Sequence, residues 1–242
     1  MRLTAGTMKP LLPDAIQRLI SYQRRHGLKA TMARASAQLR RLWANRMLLF
    51  CCDLVEYGRS SSAVGKLPEH LTVERKNGLE DLEAQDAAKI MEFWNPEICR
   101  RQWTERFQAG ASMWLIRFDG APAGYGWTIA GRTIEPHYCP LIAGDVHLFD
   151  FLVLPQFRGR QINPSLVHYI LGQMADEGKT RAYIEVAEWN LPQRQSLRRM
   201  PFRFFGIARK ASLFGRTVVE WAPASSGATN GDSNRGGSPE TR

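Results

Sequence analysis

Two apolar-rich stretches, Ser112–Phe118 (SMWLIRF) and Ala123–Ala130 (AGYGWTIA), flank Asp119-Gly120-Ala121-Pro122. That pattern predicts an antiparallel hairpin with Asp-Gly in its turn. Upstream, Leu71–Arg75 reads as a strand and Leu79–Trp94 as a helix carrying Leu79, Leu82, Ile90 and Phe93 among its apolar positions, until Asn95-Pro96 interrupts it. Downstream, a longer strand is expected at Val146–Leu154, a helix at Ile162–Glu177 and a strand at Ala182–Glu188. A short helix around Pro192–Met200 and closing strands near Phe204–Ala208 and Thr217–Trp221 complete the series. The order β-α-β-β-β-loop-α-β-α-β-β describes a mixed α/β domain.

The N-terminal part has a different period. Leu28, Met32, Ala35, Leu39, Leu42 and Trp43 recur at helical spacing, with Lys29, Arg34, Arg40 and Arg41 to the sides and back, which predicts a basic amphipathic helix. A strand-like run follows at Arg46–Val55, and then the small polar stretch Gly58–Gly65 (GRSSSAVG). The expected division is an N-terminal extension over 1–57 that ends in a strand, a linker over 58–70, the main domain over 71–222, and a disordered tail over 223–242.

Charge sharpens this division. Residues 1–50 hold ten Lys/Arg against the single acid Asp14, so nearly all of the formal net charge of +10 falls within these first fifty residues. Three readings of residues 18–46 stay open: packing on the main domain or a second subunit, an anionic membrane surface, and nucleic acid, the last disfavoured because no nucleic-acid-binding motif is present. Cys51, Cys52, Cys99 and Cys139 show no CxxC pairing or His clustering at metal-ligand spacing, so neither a zinc site nor a disulfide framework is expected. The expected setting is a reducing cytosol, peripheral to the membrane under the second reading. No apolar signal core precedes Pro10 and Pro13, and the longest apolar run, Met47–Cys52, is too short for a membrane span.

Candidate chemistry concentrates in Leu152–Leu166 (LVLPQFRGRQINPSL), where a strand ends at Pro155 and a helix opens after Arg160. A glycine-containing turn into a helix presents unpaired backbone N–H groups and the positive end of the helix dipole, an arrangement that binds phosphate. Gly159 permits close backbone approach, and Arg158 and Arg160 add positive charge. Neither GxxxxGK[ST] nor a post-strand GxGxxG is present.

The run Val153–Ile162 (VLPQFRGRQI) resembles the acetyl-CoA-binding motif of the GNAT (GCN5-related N-acetyltransferase) superfamily, V-x-P-x-x-R-G-x-G-[IV]. Tyr183–Asn190 (YIEVAEWN) is similar to the family's next strand with its closing Asn, and Phe202 falls where the family places a phenylalanine after the following helix. The resemblance covers about 150 of the 242 residues. It implies a mostly antiparallel mixed sheet with flanking helices, and acetyl-CoA as acyl-donor cosubstrate with no metal. In such a fold the central strand splays from its neighbour and the pantetheine arm enters between them. The resemblance assigns the arm and acetyl carbonyl to the backbone of Leu152 and Val153, and the pyrophosphate to Arg158, Gly159, Arg160, Gln161, Ile162 and Asn163, with Asn190 beyond.

Three positions depart from the pattern: Gln161 stands where the family has Gly or Ala, Leu197 where many members carry a tyrosine acid, and Pro201 where a late glycine is usual.

Amine acylation needs a base, direct or through water, and a donor for the oxyanion. His147 occupies a strand position where family members often place a base, and Asp150 is the second candidate. Strand alternation puts His147, Phe149 and Phe151 on one face and Leu148, Asp150 and Leu152 on the other, so both cannot face substrate without a bulge. Tyr125 and Trp127 line an acceptor pocket or belong to the core, and Glu185 and Glu188 hold a cationic amine or are solvated. The expectation is an N-acetyltransferase acting on a small-molecule or protein amine by direct attack in a ternary complex. Its rivals are a catalytically degenerate scaffold of the same fold and an enzyme with a longer acyl donor.

Overall fold

The computed structural model describes residues 46–60, 67–92, 94–134, 137–213 and 216–224, together with 23, 24, 27–29, 31 and 32. One eight-stranded sheet, in the order β2-β3-β4-β5-β6-β1-β7-β8, organises the chain. Its strands are β1 (Arg46–Asp53), β2 (Leu71–Lys76), β3 (Ser112–Phe118), β4 (Ala121–Ala130), β5 (Asp145–Val153), β6 (Arg181–Ala187), β7 (Arg203–Leu213) and β8 (Arg216–Pro223). The helices are α1 (Leu54–Ser60), α2 (Ala84–Met91), α3 (Pro96–Gln108), α4 (Ile162–Asp176) and α5 (Leu191–Leu197).

Alternation along β3 divides the core into two layers. Trp114 and Ile116 join Leu148, Ile184 and the buried face of α4, while Met113 and Leu115 join Tyr125, Trp127, Trp103 and the α2–α3 side. This is the period of two expected of a strand covered on both faces. The β3–β4 turn is the two-residue kind that sequence suggests: Asp119 (φ 48°) and Gly120 (φ 77°) both adopt positive φ, as a type I′ hairpin requires.

Two expectations are corrected. The strand assigned to the end of an extension lies inside the sheet, with Met47–Asp53 paired to β6 and Arg46–Cys51 to β7. Both of its edges are satisfied by residues more than a hundred positions away, a long-range pairing that local composition does not encode. Gly58, read as the start of a linker, is helical. A Cβ there would lie 3.4 Å from that of Ala175 on α4, so the small residue permits close α1–α4 packing. That contact buries Leu54 and Tyr57, and the Tyr57 hydroxyl lies 2.9 Å from His168 Nδ1.

The helix expected over Leu79–Trp94 resolves into a 3-10 turn at Leu79–Asp81 and α2, and Asn95-Pro96 starts a further helix. Asn95 caps α3 by accepting from the Ile98 N–H (3.1 Å), with proline at the first helical turn. The tail beyond residue 224, residues 61–66, and most of the basic stripe lie outside the described residues. Of the stripe, Leu28 and Met32 are helical and exposed. No helix among the described residues is long and apolar enough to cross a membrane.

Every strand pair is antiparallel except β5–β6, which α4 connects as a parallel crossover. Their pairing runs from Asp145↔Arg181 to Leu148↔Ile184 and stops, although β5 continues to Val153 and β6 to Ala187. Beyond that fork, residues 149–153 of β5 have no strand partner on the β6 side.

Candidate functional site

The unpaired stretch of β5 is also bent. Trp127 pairs with Phe149 and Tyr125 with Leu152, so Asp150 and Phe151 together oppose Gly126. Asp150 takes φ 49°, the left-handed conformation of a bulge residue. A Cβ at Gly126 would overlap the Phe151 ring, so glycine is the residue that admits this crossing.

The bulge changes the strict alternation expected for β5. Phe149 and Leu152 both pack on the α2–α3 layer, while Phe151 and Val153 pack on the α4 layer. Asp150 thereby lines a cavity on the α2–α3 side together with Trp94, Gln102, Trp103, Arg106 and Tyr125.

That cavity, ≈ 200 Å³, has one ion pair at its wall. Arg106 bonds Asp150, and its guanidinium lies 5.1 Å over the Trp127 ring and 5.4 Å over Phe149. Tyr125 is 2% exposed, and burial pushes its phenol well above the ordinary range. Of the two aromatic candidates, Tyr125 therefore reaches the cavity, whereas Trp127 is wholly buried and belongs to the core.

At the other end of the unpaired stretch, Pro155–Phe157 forms a 3-10 turn, Gly159 adopts φ 80°, and Gln161 adopts φ 60°, ψ 15° immediately before α4. A left-handed backbone at position 161 is what glycine satisfies without strain, and Gln161 holds it with a Cβ. The cavity this loop forms, ≈ 260 Å³, is lined by Val153, Arg158, Gly159, Gln161, Ile162 and Asn163, and is closed by Ser196 and Arg199 beside α5. Asn163 donates weakly to Ser196 Oγ (3.4 Å), and its Oδ1 is buried with no hydrogen-bond partner. Arg158 Nε donates to the Val153 carbonyl (3.3 Å).

The remaining cofactor candidates lie elsewhere. The Arg160 guanidinium sits 4.9 Å over the Phe118 ring and does not line the loop cavity. Asn190 caps α5, accepting from Gln193 N–H (3.4 Å), and the Leu152 side chain packs on the α2–α3 layer while its backbone belongs to the stretch without a β6 partner. Leu197 is 2% exposed in the core, so the position where the family's tyrosine would stand offers no proton donor. Arg199 had no motif to mark it. Only the α5 fold-back places it at the loop.

His147 lines neither cavity. It is nine-tenths buried, with Nε2 2.8 Å from Glu185 Oε2, and Glu185 in turn lies 3.7 Å from His137 Nε2. Burial alone would raise the Glu185 carboxyl, but the two imidazoles outweigh it and hold it at about 2. Burial would likewise lower His137, while its contacts with Cys139 and Glu185 raise it to about 9. Glu188 forms an exposed pair with Arg46 (3.3 Å).

A model of the acetyltransferase (GNAT) family matches residues 79–202. No curated protein matches the chain. Among solved structures, the tandem GNAT protein from the clavulanic acid biosynthesis pathway is 15% identical, with 75% of this chain and 54% of that one covered and a TM-score of 0.50. A GNAT-family protein from Novosphingobium aromaticivorans DSM 12444 is 14% identical (67% and 61% covered, TM-score 0.45). AAC(6')-Iy, in complex with the bisubstrate analogue CoA-S-monomethyl-acetylneamine, is 16% identical (61% and 98% covered, TM-score 0.45). The chain spans 54% to 61% of the length of the first three solved structures it resembles. At 15% identity the likeness to the tandem GNAT protein is one of fold.

Proposed function

The chain belongs to the acetyltransferase (GNAT) family, and on that premise we propose that it transfers an acetyl group from acetyl-CoA to a primary amine by direct attack in a ternary complex. One observation carries the reading: the unpaired stretch 149–153 of β5 runs from the Asp150 cavity to the Val153 loop cavity. Asp150 and Val153 are three residues apart, about 10 Å along a strand, so a single extended arm beside β5 reaches from a phosphate held at the loop to a thioester at the bulge.

In this reading the loop binds the pyrophosphate through the N–H groups that open α4, with Arg158 and Arg199 supplying charge-assisted hydrogen bonds. The free backbone groups of β5 hold the pantetheine arm as a further strand would, and an N–H at the bulge faces the developing oxyanion. The acceptor enters the Asp150 cavity. Its nitrogen lone pair attacks the thioester carbonyl, the C–S bond breaks as the tetrahedral intermediate collapses, and Asp150 takes the ammonium proton directly or through one water. Water protonates the departing thiolate, since position 197 carries leucine.

His147, first in order from sequence, gives way to Asp150 because its Nε2 is engaged by Glu185 and it lines neither cavity. All four cysteines lie outside disulfides, which supports a reducing, cytoplasmic setting.

Titration of the full chain with acetyl-CoA in a calorimeter is the primary test, and no heat at millimolar ligand overturns the assignment. Asp150→Asn should then bind acetyl-CoA as wild type does while releasing free thiol with an amine panel at least 100-fold more slowly, within the range general bases contribute. The buried leucine at position 197 favours one other reading, a family member that binds CoA without turnover. Thiol release by the wild-type chain separates the two.

A further inference from the structure

We propose that His137, His147 and Glu185 form a binding site for a divalent transition metal of the zinc class, clipping β5 to β6 at the fork where their pairing ends. The proposal is independent of the acyl-transfer reading, which uses none of the three side chains.

The three groups come from separate segments. His137 lies in the β4–β5 connection, His147 on β5 and Glu185 on β6. The parallel register pairs His147 with Tyr183, so Glu185, two residues on, projects from the same face just past the last pair, Leu148↔Ile184. One ligating atom from each group lies within 4.8 Å of the others.

Two of the separations are 2.8 Å (His147 Nε2 to Glu185 Oε2) and 3.7 Å (His137 Nε2 to Glu185 Oε2). Tetrahedral zinc with ligands at about 2.0–2.1 Å sets its ligand atoms roughly 3.3–3.4 Å apart. The observed pair straddles that spacing, and the third separation, between the two histidines, is within 4.8 Å, so an ion would draw the two rings toward one another.

An independent observation points the same way. The His137 side chain is 6% exposed, and its Nε2 is buried with no hydrogen-bond partner. At the opposite side of that ring, Nδ1 lies 3.2 Å from the Cys139 carbonyl and accepts from the Cys139 N–H (3.3 Å). With Nδ1 held by Cys139, Nε2 is the ring nitrogen left to face an ion, which binds there as the ring gives up its proton.

Two imidazoles with one carboxylate suit zinc over magnesium or calcium, which prefer all-oxygen sets. Three protein ligands leave a fourth position for water, and the 20% exposure of the Glu185 side chain gives the ion a route in. The ion would then join the two strands at the apex of the slot, where no backbone hydrogen bond does.

The test uses the full chain, stripped with a chelator, then titrated with zinc chloride by calorimetry and with cobalt(II) by visible absorption. One ion per chain is expected, with a tetrahedral nitrogen–oxygen cobalt spectrum free of thiolate charge-transfer bands. His137→Ala and Glu185→Gln should each weaken zinc by more than the roughly 10- to 100-fold that loss of an outer-shell partner costs. His70→Ala, a histidine just before the edge strand β2 whose ring is tilted against Phe118, should leave affinity unchanged.

No stoichiometric zinc binding by the wild-type chain overturns the proposal. So does a thiolate-type cobalt spectrum, or zinc affinity equal in wild type, His137→Ala and Glu185→Gln. The wild-type cobalt spectrum decides the question even if a variant fails to fold.

Discussion

Replacing Gln161 tests whether the loop that opens α4 is a device of backbone conformation. The residue holds φ 60°, ψ 15° directly before α4, makes no side-chain cap bond, and is exposed, so removing its side chain forfeits no packing. A left-handed residue bearing a Cβ costs about 1–2 kcal/mol. Glycine in its place releases that strain but loses about 0.5–1 kcal/mol more chain entropy on folding. The difference sets Gln161→Gly between roughly neutral and about 1.5 kcal/mol more stable. Gln161→Ala retains the Cβ and should match wild type, whereas Gln161→Val places a β-branched side chain where left-handed φ makes it an outlier and should lose at least about 1 kcal/mol. Urea unfolding at constant slope reads these as shifts of the midpoint. Acetyl-CoA affinity of the glycine variant should equal or exceed that of wild type. A valine variant as stable as wild type, or a glycine variant less stable than the alanine one, would refute the reasoning, because position 161 would then not be held left-handed.

Two predictions concern groups outside the loop. Arg117 contacts Asp86 (2.5 Å) and Glu74 (2.7 Å), and Asp86 is 2% exposed. Arg117→Met should cost about 3–5 kcal/mol because it leaves a buried carboxylate uncompensated, and adding Asp86→Asn should return most of the loss. A cost below 1 kcal/mol in urea unfolding would contradict this. Burial pushes the Cys51 thiol up to about 11 and that of Cys52 to about 12. At pH 8 their alkylation in the native protein should be slower than that of an unperturbed thiol by roughly two orders of magnitude or more, in proportion to thiolate content. Mass mapping after brief iodoacetamide treatment checks it, and rapid native labelling of both would be the contrary result.

Legibility in the sequence followed the range of the interactions. The Asp119-Gly120 hairpin, the strand–turn–helix at Val153–Ile162 and the apolar face of α4 are local patterns, and each appears where period and turn chemistry put it. Helix α3 was legible in principle, since Asn95-Pro96 is both a stop for one helix and a cap with first-turn proline for the next. Gln161 was visible as a departure, but its meaning, a side chain carried on a left-handed backbone, emerged only with the dihedral angle.

The sequence by itself determined the mixed α/β class, the order of most elements and the strand–turn–helix at Val153–Ile162, because these rest on side-chain period, turn residues and helix ends within a few residues of one another. Only the tertiary structure decided that β1 belongs inside the sheet, that the β5 bulge turns Asp150 toward a cavity with Arg106 and Tyr125, that Arg199 closes the loop, and that His147 is held beside Glu185 and His137. The reason is geometric: each of these depends on strand register between distant segments, and one added residue in a strand moves every side chain beyond it to the other face.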